Sequence, residues 1–394
     1  MKETAITGNL GDRIRSDCQV KLHITDKGGI TITLKSKVDR MFGAQIRQQA
    51  QEVLEALGVS HAQLEIDDAG ALPFVIGARI EAAVKQLGAS DKSWIPPVIE
   101  QNRYETTRDR FRFSRLYLPG NSPSMMLNAG IHQPDGIILD LEDSVAPPKK
   151  AEARLLVRNA LCQVDFYGAE HMVRINQLPA GLEDLDEVVP HHVHLVLLPK
   201  CEHGSQVKEV AERIRTILKA HKQLRRVYLM PIIESCLGVE NAFEIAAADP
   251  SVVAMAIGLE DYTADLGVRR TERGEESLYA RTRLVNACKA AGIQPIDSVY
   301  SDVANMDGLR KNVETSRALG FEGMGCIHPR QVAVIQEAFT PTREEIEKAT
   351  RIVEAFEEAE ARGSGVVALG SKMIDPPVVK RAQKTLDLAL KLKS

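Results

Sequence analysis

Eight short apolar runs recur through the chain between Arg115 and Arg330, and nearly every run ends in a charged or polar residue. Stretches with helical character, for example residues 148–161 and 206–220, separate these runs. This alternation of strands and helices predicts an α/β protein with a (β/α)8 TIM barrel. The predicted strands are residues 116–118, 137–139, 172–175, 193–198, 227–233, 252–257, 293–296 and 324–327.

In a (β/α)8 barrel, the carboxyl ends of the strands meet on one face, and the active sites of this fold lie there. The predicted strands place a set of charged residues at that face. The set consists of Arg115, Asp140, Glu142, Asp143, Arg174, Lys200, Glu234, Glu260, Asp261 and Asp297. We therefore expect a polar site on an apolar scaffold.

The composition excludes several classes of function. A formal net charge of −4 and a pI near 6.2 indicate no basic surface for nucleic acid or an anionic membrane. No apolar run is long enough for a transmembrane helix, and residues 1–17 lack the apolar segment of a secretory signal. The six cysteines are scattered without a CxxC pair, which argues against structural zinc and indicates a reducing, cytoplasmic setting.

The length of 394 residues predicts more than one domain, and we divide the chain into four parts. Residues 1–88 combine strand and helix patterns and predict a small α+β domain. Residues 89–112 are rich in proline and charge and predict a linker. The barrel is assigned to residues 113–335. Residues 336–394 form a C-terminal extension, with helices expected at 341–362 and 378–392 and a glycine break at 363–365.

The first part has its own local signals. Alternating residues at 20–24 and 30–35 flank the turn sequence DKGG, so we expect a β-hairpin. Helical periodicity at 38–57 places Phe42 on an apolar face and ends at Gly58. A second helix is expected at 72–87.

Glu234 and Asp261 follow the fifth and sixth predicted strands, which are neighbours in a barrel. Carboxylates on neighbouring strand ends are within reach of one ion, and two hard oxygen ligands completed by waters suit Mg2+. The alternative is a structural ion pair of these acids with Arg174 or Lys200. Spacing alone leaves both interpretations open.

Arg174 ends the third predicted strand and offers a planar fork for a carboxylate or carbonyl oxygen. The alternative is a salt bridge at the rim of the barrel. Glu142 and Asp143 follow the second strand, where they either hold metal-bound waters through hydrogen bonds or favour the start of the next helix.

A set of motifs, in a fixed order, resembles the citrate lyase β-subunit family of the HpcH/HpaI aldolase superfamily. The motifs are SRLYLPGN at 114–121, DLEDSV at 140–145, VRIN at 173–176, LPK at 198–200, IES at 233–235, GLEDY at 258–262, HPRQ at 328–331 and MID at 373–375. Residues 1–88 resemble the citrate lyase acyl carrier (γ) subunit, through FG at 42–43, DD at 67–68, GAL at 70–72 and ARIE at 78–81. The chain is thus similar to a γ–β fusion.

This resemblance implies a retro-Claisen lyase that cleaves a citryl thioester to oxaloacetate and an acetyl thioester. It implies Mg2+ as cofactor, with Glu234 and Asp261 as ligands, and it also assigns Glu234 a catalytic role and substrate binding. Arg174 is implied as the catalytic residue that binds the oxoacid. Arg115 is similar to a family residue that contacts CoA-like phosphates, and Lys200 is also assigned to substrate binding.

In the acyl carrier family, a phosphoribosyl-dephospho-CoA prosthetic group is attached to a serine in a Gly-Thr-Leu-Glu-Ser-type stretch. The matching stretch here is GNLGDRIRSD at 8–17, which is longer than that pattern. Ser16 is the only nearby serine and is therefore the candidate attachment site. The alternative is an ordinary surface serine. The resemblance also implies an acyl-transferase (α) subunit as a partner.

Asp375 precedes two prolines, which hold it in an extended conformation before the last helix. One interpretation is an N-cap. The resemblance implies another: in the family, the Met-Ile-Asp-x-Pro segment lies over the barrel mouth of an adjacent protomer. There, Asp375 would act as a catalytic acid–base and move the proton between the substrate hydroxyl and the enolate carbon. This second interpretation implies a homo-oligomer, a trimer or a multiple of one.

Three functions remain open at this stage. The first is a Mg2+-dependent citryl-thioester lyase that carries its own acyl carrier. The second is a lyase that acts on free malyl-CoA or citramalyl-CoA and keeps a vestigial N-terminal domain. The third is a non-catalytic carrier or scaffold, against which the presence of Glu234, Asp261 and Arg174 argues.

Overall fold

The computed structural model describes residues 4–361, 367–369 and 372–392, so the glycine break predicted at 363–365 lies outside the described residues. The first part of the chain is a four-stranded sheet with two helices. Its elements are β1 (Thr4–Thr7), β2 (Cys18–Ile24), β3 (Ile30–Ser36), α1 (Asp39–Ala56), β4 (Ala62–Asp68) and α2 (Pro73–Gln86).

The predicted hairpin is wrong, because β2 and β3 do not pair with each other. The sheet order is β1-β2-β4-β3, so β4 lies between them, antiparallel to β2 and parallel to β3. The glycine turn instead passes over the start of β4, where Gly29 N–H donates to Nδ1 of His61 at 2.9 Å. Phe42 was also misplaced: it is 49% exposed, because the buried face of α1 runs through Gly43 and Ile46.

All eight predicted barrel strands are present in one parallel eight-stranded sheet of order β11-β10-β9-β8-β7-β6-β5-β12. A parallel bridge between Asp297 and Met324 brings the two edge strands together and closes the barrel. The elements are β5 (Ser114–Pro119), α3 (Pro123–Leu127), β6 (Gly136–Asp140), α4 (Lys150–Gln163), β7 (Glu170–Arg174), α5 (Gly181–Val188), β8 (Leu195–Leu198), α6 (Gly204–Ala220), β9 (Tyr228–Ile233), α7 (Cys236–Glu240), α8 (Ala242–Ala246), β10 (Ala254–Ile257), α9 (Leu259–Leu266), α10 (Leu278–Ala291), β11 (Gln294–Ile296), α11 (Met306–Leu319), β12 (Met324–Cys326) and α12 (Arg330–Phe339).

The barrel strands are mostly apolar because both of their faces are buried, and their polar residues, such as Asp140 and Arg174, are found mainly near the strand ends. In β8, Leu195 and Leu197 belong to the cluster that fills the barrel, whereas Val196 and Leu198 belong to the layer between the strands and the helices. This close packing leaves the strand ends as the place where polar side chains collect.

The linker follows the amino-terminal face of the barrel. Apart from a 3-10 turn at Glu100–Asn102, its described residues form no regular element. Asn102 donates hydrogen bonds to the carbonyl groups of Leu161 and Val164, and the buried Arg112 pairs with Glu170 at 2.7 Å. The linker is thus fixed to the barrel opposite the carboxyl ends of the strands.

The C-terminal extension contains α13 (Arg343–Ala361), β13 (Val367–Leu369), β14 (Lys372–Ile374) and α14 (Pro376–Lys391). It has a small core of its own, formed by Ala349, Ile352, Val353, Ile374 and Ala382. Across the described ranges of the chain, we find no helix whose length and apolar character would let it cross a membrane.

Candidate active site

A cavity of about 450 Å³ opens at the carboxyl ends of the barrel strands. Charged residues expected at this face line it: Arg115, Asp140, Asp143, Arg174, Glu234, Glu260, Asp261 and Asp297. The two others expected there lie within reach of the cavity wall, because the Lys200 Nζ is 3.8 Å from Glu142 Oε1 and 3.8 Å from Asp261 Oδ1.

Glu234 is a buried carboxylate of the site. It follows the last residue of β9, is only 6% exposed, and its Oε2 accepts a hydrogen bond of 2.8 Å from the backbone N–H of Lys200. Burial raises the pKa of Glu234 to about 8, and the negative charges of Glu142 and Asp261 add to this effect. Negative charge is therefore costly to hold here without a cation.

Gly258 makes room for Glu234 on the neighbouring strand end. A Cβ at this position would lie 2.6 Å from Oε1 and 2.7 Å from Cγ of Glu234, so a larger residue would displace the carboxylate. Gly258 also precedes α9, whose first turn carries Asp261. The Asp261 side chain is 45% exposed and faces the same cavity from its solvent side.

The carboxylates of Glu234 and Asp261 suit Mg2+ better than a metal ion whose ligands all come from protein side chains. Among the residues that the structure describes, no three His, Cys, Asp or Glu side chains form a metal-binding group. Mg2+ is commonly held by one or two carboxylates together with waters and substrate oxygens. In addition, the buried Oε2 of Glu142 accepts no hydrogen bond from any described group, although Nη1 of Arg174 lies 2.8 Å away.

Arg174 is held by acids from the adjacent strand end. Its Nε and Nη2 each donate a hydrogen bond of 2.7 Å to Asp140, while Nη1 lies 2.8 Å from Glu142 and 3.5 Å from Asp143. Burial lowers the pKa of Arg174, but the hydrogen bonds and charge of Asp140 outweigh it and raise the pKa above its ordinary value. The guanidinium also lies over the ring of Tyr117, with its Cζ 5.4 Å from the ring centroid.

Lys200 is positioned by an unusual backbone conformation. Its φ of 46° is in the left-handed region, which few residues with a side chain adopt. Burial lowers the pKa of Lys200, but the carboxylates of Glu142, Asp143, Asp261 and Glu234 together raise it above the ordinary value. The long distances to these acids leave space between them for a ligand.

Two charged residues of the predicted set, Arg115 and Asp297, line the cavity with buried side chains. Arg115 is not at a strand end, because it is the second residue of β5 and its side chain lies inside the barrel. Its Nη1 donates to the sulfur of Met230 at 2.9 Å, and burial lowers the pKa of Arg115 to about 10. This enclosed position differs from the exposed one expected of a phosphate contact, and its role in substrate binding remains a prediction. Asp297 is held in a buried ion pair with Arg281.

The other two predicted site residues lie away from the strand ends. Ser16 is half-buried in the loop between β1 and β2, has a left-handed φ of 57°, and its N–H donates to the carbonyl group of Ala69 at 3.0 Å. Asp375 caps α14, since its side chain accepts from the N–H of Val378 at 3.2 Å. Asp375 is not among the described residues that line the cavity of its own chain.

Sequence reasoning placed Asp140 at this face but did not pair it with Arg174, and it gave Tyr117 no site role, although both contact Arg174. The signal for Asp140 was available, because residues at equal heights of adjacent parallel strands pair, and Asp140 is in register with Arg174. The signal for Tyr117 was weak, because an aromatic residue in an apolar strand is ordinarily part of the core.

A (β/α)8 barrel with paired carboxylates and an arginine fork at the carboxyl ends of its strands defines a class of enzyme that can hold a metal ion and an oxoacid side by side. Within this class, the chain belongs to the HpcH/HpaI aldolase/citrate lyase family, whose model matches residues 114–329. Residues 2–87 match a second family model, ACP, described as malonate decarboxylase delta subunit (MdcD).

Individual relatives agree with this membership. The chain is 40% identical to the citrate lyase subunit beta of Haemophilus influenzae over 71% of this chain and 97% of that protein. It is 34% identical to the human mitochondrial citramalyl-CoA lyase over 71% of this chain and 85% of that protein. A crystal structure of CitE from Mycobacterium tuberculosis, in complex with magnesium, acetoacetate and coenzyme A, is 30% identical with a TM-score of 0.61. The match covers 72% of this chain and 99% of that chain.

Proposed function

We propose that this protein is a Mg2+-dependent carbon–carbon lyase that cleaves a citryl thioester to oxaloacetate and an acetyl thioester. The observation that carries the proposal is the arrangement of Glu234, Asp261 and Arg174 around one cavity. The relatives named citrate lyase subunit beta, and the solved relative with magnesium and coenzyme A, support the same chemistry.

Glu234 and Asp261 would hold Mg2+, which when bound lowers the pKa of the substrate hydroxyl and stabilises the carbonyl oxygen that forms from it. Arg174 would bind the oxoacid carboxylate. Its Nε and Nη2 edge is already occupied by Asp140, and Nη1 lies against Glu142 and Asp143. The substrate must therefore take the second N–H of Nη2 or displace these two acids from Nη1. Asp140 thereby sets the orientation of the fork.

The reaction removes one proton and returns one. Loss of the hydroxyl proton lets the C–C bond break, its electron pair passes to the thioester enolate, and protonation of the enolate carbon gives the acetyl thioester. We assign this proton transfer to Asp375. Because Asp375 lies away from its own cavity, this role requires Asp375 of a second copy, which supports a homo-oligomer such as a trimer.

The N-terminal domain would supply the thioester. Its match to an acyl carrier family supports a prosthetic group derived from CoA, and the half-buried Ser16 on the loop before β2 is the candidate attachment site. On this proposal, an acyl-transferase subunit loads citryl onto the carrier. We also propose a reducing, cytoplasmic location, with which the six unpaired cysteines agree.

A lyase that acts on free CoA esters is the second candidate, and the relatives named citramalyl-CoA lyase and L-malyl-CoA/beta-methylmalyl-CoA lyase favour it. An assay of 2-oxoacid release from citryl-CoA, malyl-CoA and citramalyl-CoA, with and without Mg2+, tests both candidates. Mg2+-dependent oxaloacetate from citryl-CoA is expected. Turnover confined to malyl-CoA or citramalyl-CoA selects the second candidate. If none of the three CoA esters releases a 2-oxoacid, even when its acyl group has been transferred to the modified carrier domain, the protein is a non-catalytic scaffold and both lyase candidates are wrong.

A further inference from the structure

Helix α2 of the N-terminal domain has two buried faces. Ile76, Ile80, Ala83 and Val84 belong to the core of the N-terminal sheet, whereas Phe74, Val75, Ala78 and Ala82 belong to the same apolar layer as the barrel helices. Every residue of α2 from Phe74 to Val84 is buried, including the charged Arg79 and Glu81. Helix α2 therefore packs against the N-terminal sheet on one face and against α4 of the barrel on the other.

Ion pairs without exposure to water reinforce this packing at two places. Arg79 of α2 donates two hydrogen bonds to Asp17, at 2.9 and 2.8 Å, and a third of 2.7 Å to Oδ1 of Asn121. Glu81 of α2 binds Arg158 of α4 at 2.6 Å, and both side chains are 0% exposed. Separating the domains would leave Glu81 and Arg158 without each other, which is strongly unfavourable for a buried pair. It would also remove Asn121 and Glu152 from Arg79, whereas the Arg79–Asp17 pair lies within the N-terminal domain.

Residues 8–17 form the loop that carries Ser16, and contacts of its first two residues place the start of this loop against the rim of the active-site face. Gly8 N–H donates to Oε2 of Glu152 at 2.9 Å, the Nζ of Lys149 donates to the carbonyl group of Gly8 at 3.0 Å, and Asn9 donates to the carbonyl group of Asn121 at 3.3 Å. Lys149 and Glu152 lie at the start of α4, and Asn121 lies in the loop after β5. These positions belong to the carboxyl end of the strands.

Hydrogen bonds connect this rim to Arg174 by way of Asp140. Gly120, which precedes Asn121, donates its N–H to the carbonyl group of Asp140 at 2.8 Å. The carboxylate of Asp140 holds the Arg174 fork. The loop of Ser16 and the oxoacid-binding arginine are therefore linked through a short series of contacts within one chain.

We propose that the N-terminal domain is a fixed carrier, which stays docked on its own barrel and delivers a group held at Ser16 into the cavity of the same chain. Only the prosthetic group attached to Ser16 moves, and the N-terminal domain keeps its position relative to the barrel. Tethering at this position gives the bound thioester a high effective concentration at one cavity. The delivery step rests on the proposed function, whereas the docking of the domain does not.

The docking is tested by distance measurements in the full chain. Spin labels are placed at Ser16→Cys and Ser124→Cys, in a Cys236→Ser background because the other five cysteines are buried. Labelled chains are diluted with unlabelled ones, so that only distances within one chain are detected. We expect one narrow distance distribution, which broadens in Arg158→Ala and is unchanged in Gln86→Ala, an exposed position of α2.

A broad distribution in the parent protein would overturn the fixed carrier, and this measurement decides the question even where Arg158→Ala fails to fold. A narrow distribution that persists in a folded Arg158→Ala variant would overturn the anchoring role of the Arg158–Glu81 pair.

The delivery within one chain is tested with a photoreactive arm of pantetheine length on Ser16→Cys, in the same Cys236→Ser background. Only 15N-labelled chains carry the arm, and they are mixed with unlabelled chains before irradiation. Mass spectrometry is expected to find cross-links to cavity peptides of the 15N chain. Cross-links to unlabelled chains would overturn the proposal. Because this readout needs no turnover, a protein that cross-links within one chain but releases no 2-oxoacid separates failure of the proposed function from failure of this inference.

Discussion

Asp140 and Arg174 face each other in register across β6 and β7 and are joined by two hydrogen bonds of 2.7 Å. The pair fixes the guanidinium plane and directs the second N–H of Nη2, together with Nη1 beside Glu142 and Asp143, to the side where a ligand would bind. A geometry with two parallel hydrogen bonds is specific to arginine, since the lysine ammonium is a compact point charge.

Replacing Arg174 by Lys should therefore reduce kcat by at least about tenfold while the fold is kept, because charge remains but the fork is lost. Steady-state kinetics measure kcat, and a thermal melt shows whether the fold is kept. Arg215→Lys, an exposed ion-paired arginine on α6, serves as the control. A rate of Arg174→Lys equal to that of the wild type would show that Arg174 is structural.

Gly258→Ala should impair the site through Glu234. The added Cβ would lie 2.6 Å from Oε1 of Glu234, so the carboxylate must move or the strand end must shift, at a cost of about 1–3 kcal/mol in stability. We expect weaker Mg2+ binding by calorimetry and a rate at least about tenfold lower. Ala264→Ser, on the exposed side of α9, is the control. Wild-type Mg2+ affinity in Gly258→Ala would contradict the assigned position of Glu234.

A pair of histidines at the amino-terminal side of the barrel predicts acid sensitivity. Burial lowers the pKa of His191 and of His194 to about 4. In the unfolded chain histidine titrates near about 6.5. Between these values the unfolded chain binds more protons, so the free energy of unfolding is largest above about pH 6.5 and falls as the pH drops towards about 4.

The expected slope is at most about 1.4 kcal/mol per pH unit for each histidine. Urea unfolding at about pH 7 and about pH 5 measures it. His194→Gln should reduce the loss of stability between the two conditions, whereas the exposed His132→Gln should not. An equal loss in wild type and His194→Gln would refute the contribution of His194.

The role of Asp375 in a neighbouring site is tested by mixing two inactive variants, Asp375→Asn and Glu234→Gln, under conditions of subunit exchange. If the acid comes from a second copy, some mixed sites contain both wild-type groups and activity returns. Failure to recover activity after confirmed exchange would leave Asp375 as the N-cap of α14 that this chain shows.

The barrel could be predicted from the sequence because strands that are buried on both faces have continuous apolar sequences, such as residues 228–233. The position of β4 between β2 and β3 could not, because strand pairing there depends on contacts distant in the chain. The sequence of α2 also did not show that this helix packs in two hydrophobic cores, one in the N-terminal domain and one around the barrel.

In the site, the polar residue after each apolar run identified Glu234 and Asp261. That rule does not describe Arg115, which lies at the start of β5 and reaches the cavity from inside the barrel. The buried support that Asp140 and Gly258 provide follows from strand register, which becomes visible only when the barrel is assembled.

The proposed mechanism requires an oxoacid that binds jointly to Mg2+ and Arg174, and titration calorimetry with oxaloacetate measures this binding directly. We expect heat of binding in the wild type only when Mg2+ is present, because a hard dication held by two carboxylates supplies part of the site. Asp261→Asn should lose this binding. Glu260→Gln, the adjacent residue whose side chain pairs with Arg270 at 2.8 Å, should keep it. Oxaloacetate binding that is independent of Mg2+, or unchanged in Asp261→Asn, would contradict the proposed site.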